Sequence, residues 1–204
     1  MNIIWDKVHS EREWGIYPNE HLVRWACGRF KTGAQQKVLD LGCGQGSSTL
    51  FLAREGFDVS AIDFSHNAVA KCNKRLRAEK LKARVFVGEM MLLPFQSGYF
   101  DGVVDVVSSA HNTKAHIELI YKEAARVLKV NGTLFLITPT NSCSRRPFME
   151  YGTISFMESE EIKHILEKNF TNIKIRHTSY EIDDGCEVRN WVVTADRKAA
   201  QGEG

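Results

Sequence analysis

The chain has 204 residues, 43% hydrophobic and 25% charged, a balance that supports a buried core and excludes collagen, coiled coil and intrinsic disorder. Its 27 Lys and Arg stand against 25 Asp and Glu, interleaved along the chain for a formal charge of +2, which asks for neither a nucleic acid nor an anionic membrane as partner. Five cysteines (Cys27, Cys43, Cys72, Cys143 and Cys186) include no C-x-x-C pair, and an odd number cannot all pair within the chain, so reduced thiols in a cytoplasmic protein are expected. Neither a leader-like start nor an apolar run near the ~20 residues of a membrane span is visible.

In chain order, an aromatic-rich arm over Trp5–Pro18 precedes a helix over Asn19–Phe30. Short apolar runs then alternate with helical segments. The runs are Val38–Gly42, Asp58–Asp63, Ala83–Gly88, Asp101–Val107 and Thr133–Thr138, and their Val, Ile, Leu and Phe content suits strands buried on both faces. Between them, SSTLFLAREGF, HNAVAKCNKRLRAEK and KAHIELIYKEAARVL carry apolar residues at helical spacing. The alternation predicts an α/β protein with right-handed crossovers and a mostly parallel sheet covered on both sides. A polar segment, Pro139–Ser155, leads to a helix opening at Ser159, and then NIKIRHTSYEI and EVRNWVVTAD, separated by DDG, read as antiparallel strands. The expected organisation is a single domain over residues 1–204: an N-terminal arm and helix (1–30), a core (37–139), a loop (140–157) and a C-terminal helix and hairpin (158–196).

The strongest local signal is VLDLGCGQGSS, Val38–Ser48, a buried strand ending in three glycines and running straight into a helix. Glycines there let bare backbone approach a ligand at a helix N-terminus, which implies a nucleotide-like molecule. A dinucleotide loop reads G-x-G-x-x-G/A; here Ser47 takes the last position, and Asp40, two residues before Gly42, would repel a pyrophosphate. Asp63 closes the second strand about 20 residues on, where an acid accepts from ribose hydroxyls. A ribose bearing an ammonium arm fits both acids and describes S-adenosylmethionine.

On these motifs the sequence resembles the class I S-adenosylmethionine-dependent methyltransferases. AIDFSHNAVAKCNKR, GEMMLLPFQSGYFDGVVDVV and RVLKVNGTLFLITPT are similar to further segments of that family, with Glu89 in place of the usual Asp and Val130-Asn131-Gly132 in place of Pro-Gly-Gly. The resemblance implies a Rossmann-like, doubly wound seven-stranded sheet in the order 3-2-1-4-5-7-6 with its last strand antiparallel. It also implies S-adenosyl-L-methionine as cofactor and S-adenosyl-L-homocysteine as product. Residue by residue, it puts Asp40 near the methionyl ammonium; Gly42 to Gly46, with Cys43 and Gly44 among them, against the methionine and ribose; Asp63 on the ribose hydroxyls; Phe64 on adenine; and Ser47 and Ser65 in the same cofactor site. Glu89 and the Met90 N–H would meet the adenine edge, and Asp105 and Val106 the sulfonium.

In an open α/β sheet the ligand crevice lies beyond the carboxyl ends of the strands, so the acceptor side falls to the arm and to the segments after the fourth and fifth strands. His111 is the candidate base, against the reading of an ordinary loop histidine, and His116 reads as polar dressing at a helix start. Asp105 is either a catalytic carboxylate stabilised by the sulfonium or one hydrogen-bonded to loop amides. Arg145 and Arg146 either clamp an acidic acceptor or form a solvated pair. Trp5, Trp14 and Tyr17 either form a lid or pack on the sheet edge. Cys43 has no neighbouring base and is not read as a nucleophile, and no residue spacing argues for a metal. The expected activity is methyl transfer to a small molecule. Its rivals are an RNA or protein methyltransferase, a non-catalytic cofactor-binding module, and a nicotinamide oxidoreductase that Asp40 and Ser47 disfavour.

Overall fold

The computed structural model describes residues 3–30, 35–141, 152, 154–181 and 187–199. Helices α1 (Ile3–Glu11) and α2 (Glu20–Arg29) precede an alternating core: β1 (Lys37–Leu41), α3 (Ser47–Arg54), β2 (Asp58–Asp63), α4 (His66–Ala78), β3 (Arg84–Val87), β4 (Phe100–Val106), α5 (Lys114–Val127) and β5 (Leu128–Pro139). A helix α6 (Ser159–Leu166) and the strands β6 (Phe170–Glu181) and β7 (Glu187–Arg197) complete the chain. The strands form one Rossmann-like, doubly wound seven-stranded sheet in the order β3-β2-β1-β4-β5-β7-β6. Strands β1 to β5 pair in parallel, and β7 runs antiparallel to both β5 and β6. Among the described residues no helix is long and apolar enough to cross a membrane.

Period-two alternation builds a core on each side of the sheet. Leu39, Leu41, Val103, Leu134 and Leu136 pack with Ile117, Ile120 and Tyr121 of α5 and with Ile162 and Ile165 of α6. Val38, Val104, Phe135 and Ile137 face Leu22 and Ala26 of α2 and Phe51 and Leu52 of α3. Because β2 lies on one side of β1 and β4 on the other, the winding reverses at the β1/β4 junction, and the loops leaving those strands diverge to open a crevice.

Two segments differ from the sequence reading. Val130-Asn131-Gly132 lies inside β5 rather than ahead of it: Asn131 takes a left-handed φ of 61°, and the pairing with β4 shifts register between Phe100 and Gly102. The arm, read as an aromatic-rich segment, contains α1, which rests on the start of α4. There the Asp6 carboxylate accepts from the Ser65 hydroxyl at 2.6 Å, the Asn67 backbone N–H at 3.1 Å and the Asn67 amide at 2.9 Å. Ser65 itself caps α4 by accepting from the Ala68 N–H. These hydrogen bonds, the Ser65 hydroxyl foremost, hold the Asp6 carboxyl below its ordinary range, as expected for an anion at a helix N-terminus. Asp6→Ala should therefore release α1: its amides should exchange about 10-fold or more faster while those of β1 and β4 keep their protection. Unchanged exchange in α1 would assign its anchorage to the aromatic contacts instead.

Candidate functional site

A cleft of about 470 Å³ occupies the β1/β4 junction. Gly42, Cys43, Gly44, Gln45 and Ser47 supply one wall, Asp63 and Phe64 the end of β2, and Gly88, Glu89, Met90 and Met91 the segment after β3. Val106, Val107, Ser108, His111, Asn112 and His116 follow β4, and Trp5, His9, Trp14 and Gly15 close the top. Two glycines are required by contact. Gly42, at φ +60°, would put a Cβ 2.3 Å from the Cβ of Ser108, and Gly46, at φ +93°, would put one 2.5 Å from the Cys72 sulfur. The first contact lets the loops after β1 and β4 meet at the cleft floor; the second lets α3 begin against α4.

Three carboxylates are buried around this junction and are compensated unequally. Asp105, fully buried, accepts from the Ser108 N–H at 3.0 Å, the Ser109 N–H at 3.2 Å and the Tyr121 hydroxyl at 2.9 Å. The Ser108 hydroxyl lies 2.5 Å away. Asp105 thus turns toward α5 and does not line the cleft, so loop amides and Tyr121 stabilise it rather than a ligand's charge. The same donors hold the turn at Val107, whose φ of 66° is strained for a β-branched residue. Asp63 lines the cleft, with one oxygen accepting from the Gly44 N–H at 2.8 Å and the other from the Ser65 N–H at 2.9 Å. Burial raises its pKa, those two amides oppose the rise, and the charges of Asp6 and Glu89 add to it. Asp40, 2% exposed, lies beneath the loop and outside the cleft lining. It accepts from the Thr49 hydroxyl at 2.6 Å. Burial pushes its pKa up to about 7, the Thr49 bond opposes this, and Asp105 and Asp63 reinforce it.

The arm covers these acids. Trp5 meets His111 edge-on at a centroid separation of 4.5 Å, and the Trp14 backbone N–H donates to the Gln45 side chain at 3.0 Å. Arg75 of α4 ties Glu13, the Trp14 carbonyl and Gln45 together. Trp5 and Trp14 therefore line the cleft, whereas Tyr17 is 84% exposed and lies away from it. His111 and the exposed His116 both border the cleft. Of the expected cofactor residues, Gly46 and Ser65 stay out of the lining and shape it from behind, while Phe64, the exposed Glu89, Met90 and Val106 reach it. The Cys43 thiol touches Cys72 and is buried, both of which push its pKa well up, the condition of an inert thiol. Arg145 and Arg146 lie outside the described residues, as does most of the 140–157 loop. Among the described residues no group of three or more His, Cys, Asp and Glu could hold a metal ion. Sequence reasoning missed His9, and it did not foresee that Gln45 ties the arm to the loop. His9 stands one helical turn from Trp5, an i,i+4 relation that appears only once the arm is known to be helical.

Residues 38–132 match the family model described as a methyltransferase domain. Over that stretch, a little under half of its length, the chain is similar to methyltransferase domains. The methyltransferase GfsG of Streptomyces halstedii is 34% identical over 118 residues, 56% of this chain and 42% of that protein. A demethylmenaquinone methyltransferase of Tropheryma whipplei is 35% identical over 115 residues, 56% of this chain and 46% of its own length. The chain thus spans less than half the length of these curated relatives. A structure solved in work on the conversion of a disulfide bond into a thioacetal group during echinomycin biosynthesis superposes over 97% of this chain and 93% of its own. The TM-score is 0.79 at 18% identity, a likeness of fold.

Burial makes Asp40 a test of stability. A carboxyl whose folded pKa rises from 3.8 to about 7 favours the native state fully below pH 4 and loses that contribution as pH climbs through 7. Ligand-free Asp40→Asn, which keeps an acceptor for Thr49, should exceed the wild type in urea stability at pH 8 by on the order of a few kcal/mol, with the gap closing toward pH 4. A variant less stable than wild type at pH 8 would show that the Asp40 charge holds the loop together.

Proposed function

We propose that the protein transfers the methyl group of S-adenosyl-L-methionine to a small-molecule acceptor and releases S-adenosyl-L-homocysteine. The observation that carries this reading is the shape of one continuous cleft. Acids and glycines of the strand ends line one part of it, and Trp5, His111, Asn112 and Met91 enclose the other beneath a lid of the chain's own residues. A polymer would have to displace that lid, whereas a small acceptor fits under it. The names of the quinone-methylating relatives support a small acceptor.

The donor set fits the cofactor. Each Asp63 oxygen has taken one amide and keeps a further lone pair for a hydroxyl of the ribose. Phe64 supplies a face for adenine, and Glu89 and the Met90 N–H supply its edge. The glycine loop and Ser47 cradle the amino-acid end, and Asp40 favours the ammonium through its charge beneath the loop rather than by lining the site. When bound, the cofactor supplies a methyl group on a positively charged sulfur. The protein then has to align the acceptor and exclude water, the work of Val106, the strained Val107 turn and Trp5. His111 receives a proton if the acceptor is a weak acid.

Asp63→Ala should weaken S-adenosylhomocysteine binding by on the order of 2–4 kcal/mol in calorimetry while the fold persists; undiminished affinity would remove the ribose assignment. With the acceptor identified by metabolite screening, His111→Gln should lower turnover by roughly 100-fold or more and abolish the acidic limb of the pH–rate profile, with cofactor affinity unchanged. Turnover like the wild type's would mean that the acceptor arrives already ionised.

A further inference from the structure

His9 sits on the face of α1 that covers the glycine loop, 7% exposed, between Trp5 and Trp14 at centroid separations of 5.8 and 6.3 Å. Its ring borders the cleft over Gly44, where a Cβ would lie 3.5 Å from Cε1 and 3.9 Å from Nε2. Gln45 fixes its tautomer. The Gln45 carbonyl oxygen accepts from the Trp14 N–H and from Arg75, both at 3.0 Å, and its amide nitrogen donates to the Arg12 carbonyl at 2.7 Å. With the amide so oriented, the same nitrogen donates to His9 Nδ1 at 3.4 Å. Nδ1 is therefore the acceptor and Nε2 carries the proton. No acceptor among the described residues takes that proton, since Nδ1 makes the ring's only hydrogen bond there.

The ring is also neutral. Burial first, and Lys71 of α4 second, push its pKa down to about 4, against the pull of Asp6 on α1. An uncharged N–H donor is thus held over the glycine loop, in a cleft whose described lining holds no Lys or Arg. Such a donor requires an acceptor on the ligand. An ammonium offers none, and the acids at the ends of β1 and β2 already suit the ligand's donors.

We propose that the His9 Nε2–H donates to the carboxylate of the cofactor's amino-acid end, so that the lid itself reads that end of the ligand. The inference rests on the cofactor assignment above. It makes Gln45 a positioning residue, holding the tautomer while tying the lid to the loop. A ligand lacking the carboxylate should bind without this lid contact, and selectivity for the complete amino-acid end should reside in α1 rather than in the strand-end motifs.

Calorimetry on the full chain can separate these claims, using S-adenosylhomocysteine, its decarboxylated analogue, which keeps the ammonium, and 5′-methylthioadenosine, which lacks both groups. The wild type should prefer S-adenosylhomocysteine to the decarboxylated analogue by about 10-fold or more, and His9→Phe should abolish that preference while leaving the analogue's affinity unchanged. Long-range ¹⁵N–¹H spectra of the wild type need no variant. They should show His9 protonated on Nε2, with that signal moved by S-adenosylhomocysteine and not by the decarboxylated analogue. A preference that survives in His9→Phe, equal weakening of all three ligands, or an Nδ1-protonated ring would overturn the His9 role and leave the cofactor assignment standing. Absence of binding by all three ligands to the wild type would overturn both.

Discussion

Charge buried at the β1/β4 junction is the constraint to which the rest of the molecule answers. Asp40, Asp63 and Asp105 are all below 9% exposure, in an interior where an unpaired carboxylate is costly. Their compensation is graded. Asp105 is fully engaged by two loop amides and Tyr121, Asp63 has two amides, and Asp40 has the Thr49 hydroxyl. The acid with most donors serves the backbone, and the two with fewer lie nearest the glycine loop. The cleft is therefore electronegative and suits a ligand that brings hydroxyl donors and a positive charge.

Geometry around the acids follows from the same demand. The amides that Asp105 accepts from exist only because the chain turns sharply after β4, and that turn forces Val107 to a φ of 66°. Strain at one residue is the cost of solvating a neighbouring charge, and it directs the loop bearing His111 along the cleft. On the opposite side, Asp6 binds α1 to the N-terminus of α4, and Gln45 and Arg75 bind the arm to the glycine loop. The arm is thus coupled both to the glycine loop and to α4, the two elements against which it closes the cleft.

Much of this was legible in the sequence. The parallel strands announce themselves because both of their faces are buried, which leaves continuous apolar runs, and the glycine loop does so because only glycine tolerates contacts such as Gly42 with Ser108. What stayed hidden depends on partners distant in the chain. Helix α1 is short and fixed by Asp6 to residues 59 and 61 positions away, so no local pattern marks it. The orientation of Asp105 depends on Tyr121, 16 residues on, and only the folded packing of α5 decides between a carboxylate facing a ligand and one facing the helix. His9 becomes a cleft residue through Gln45, 36 positions away, and Tyr17, aromatic like its neighbours, points to solvent because α1 has already ended.

If the under-compensated carboxylates organise the cleft for a cationic ligand, binding must be linked to proton release. With burial raising the Asp40 pKa to about 7, a bound ammonium should drive it to ionise. Calorimetric titration of S-adenosylhomocysteine at pH 7, in buffers of different ionisation enthalpy, should then report net proton release on binding, and 5′-methylthioadenosine should release less. Binding of S-adenosylhomocysteine with no proton released would show that these carboxylates are not tuned to the ligand's charge.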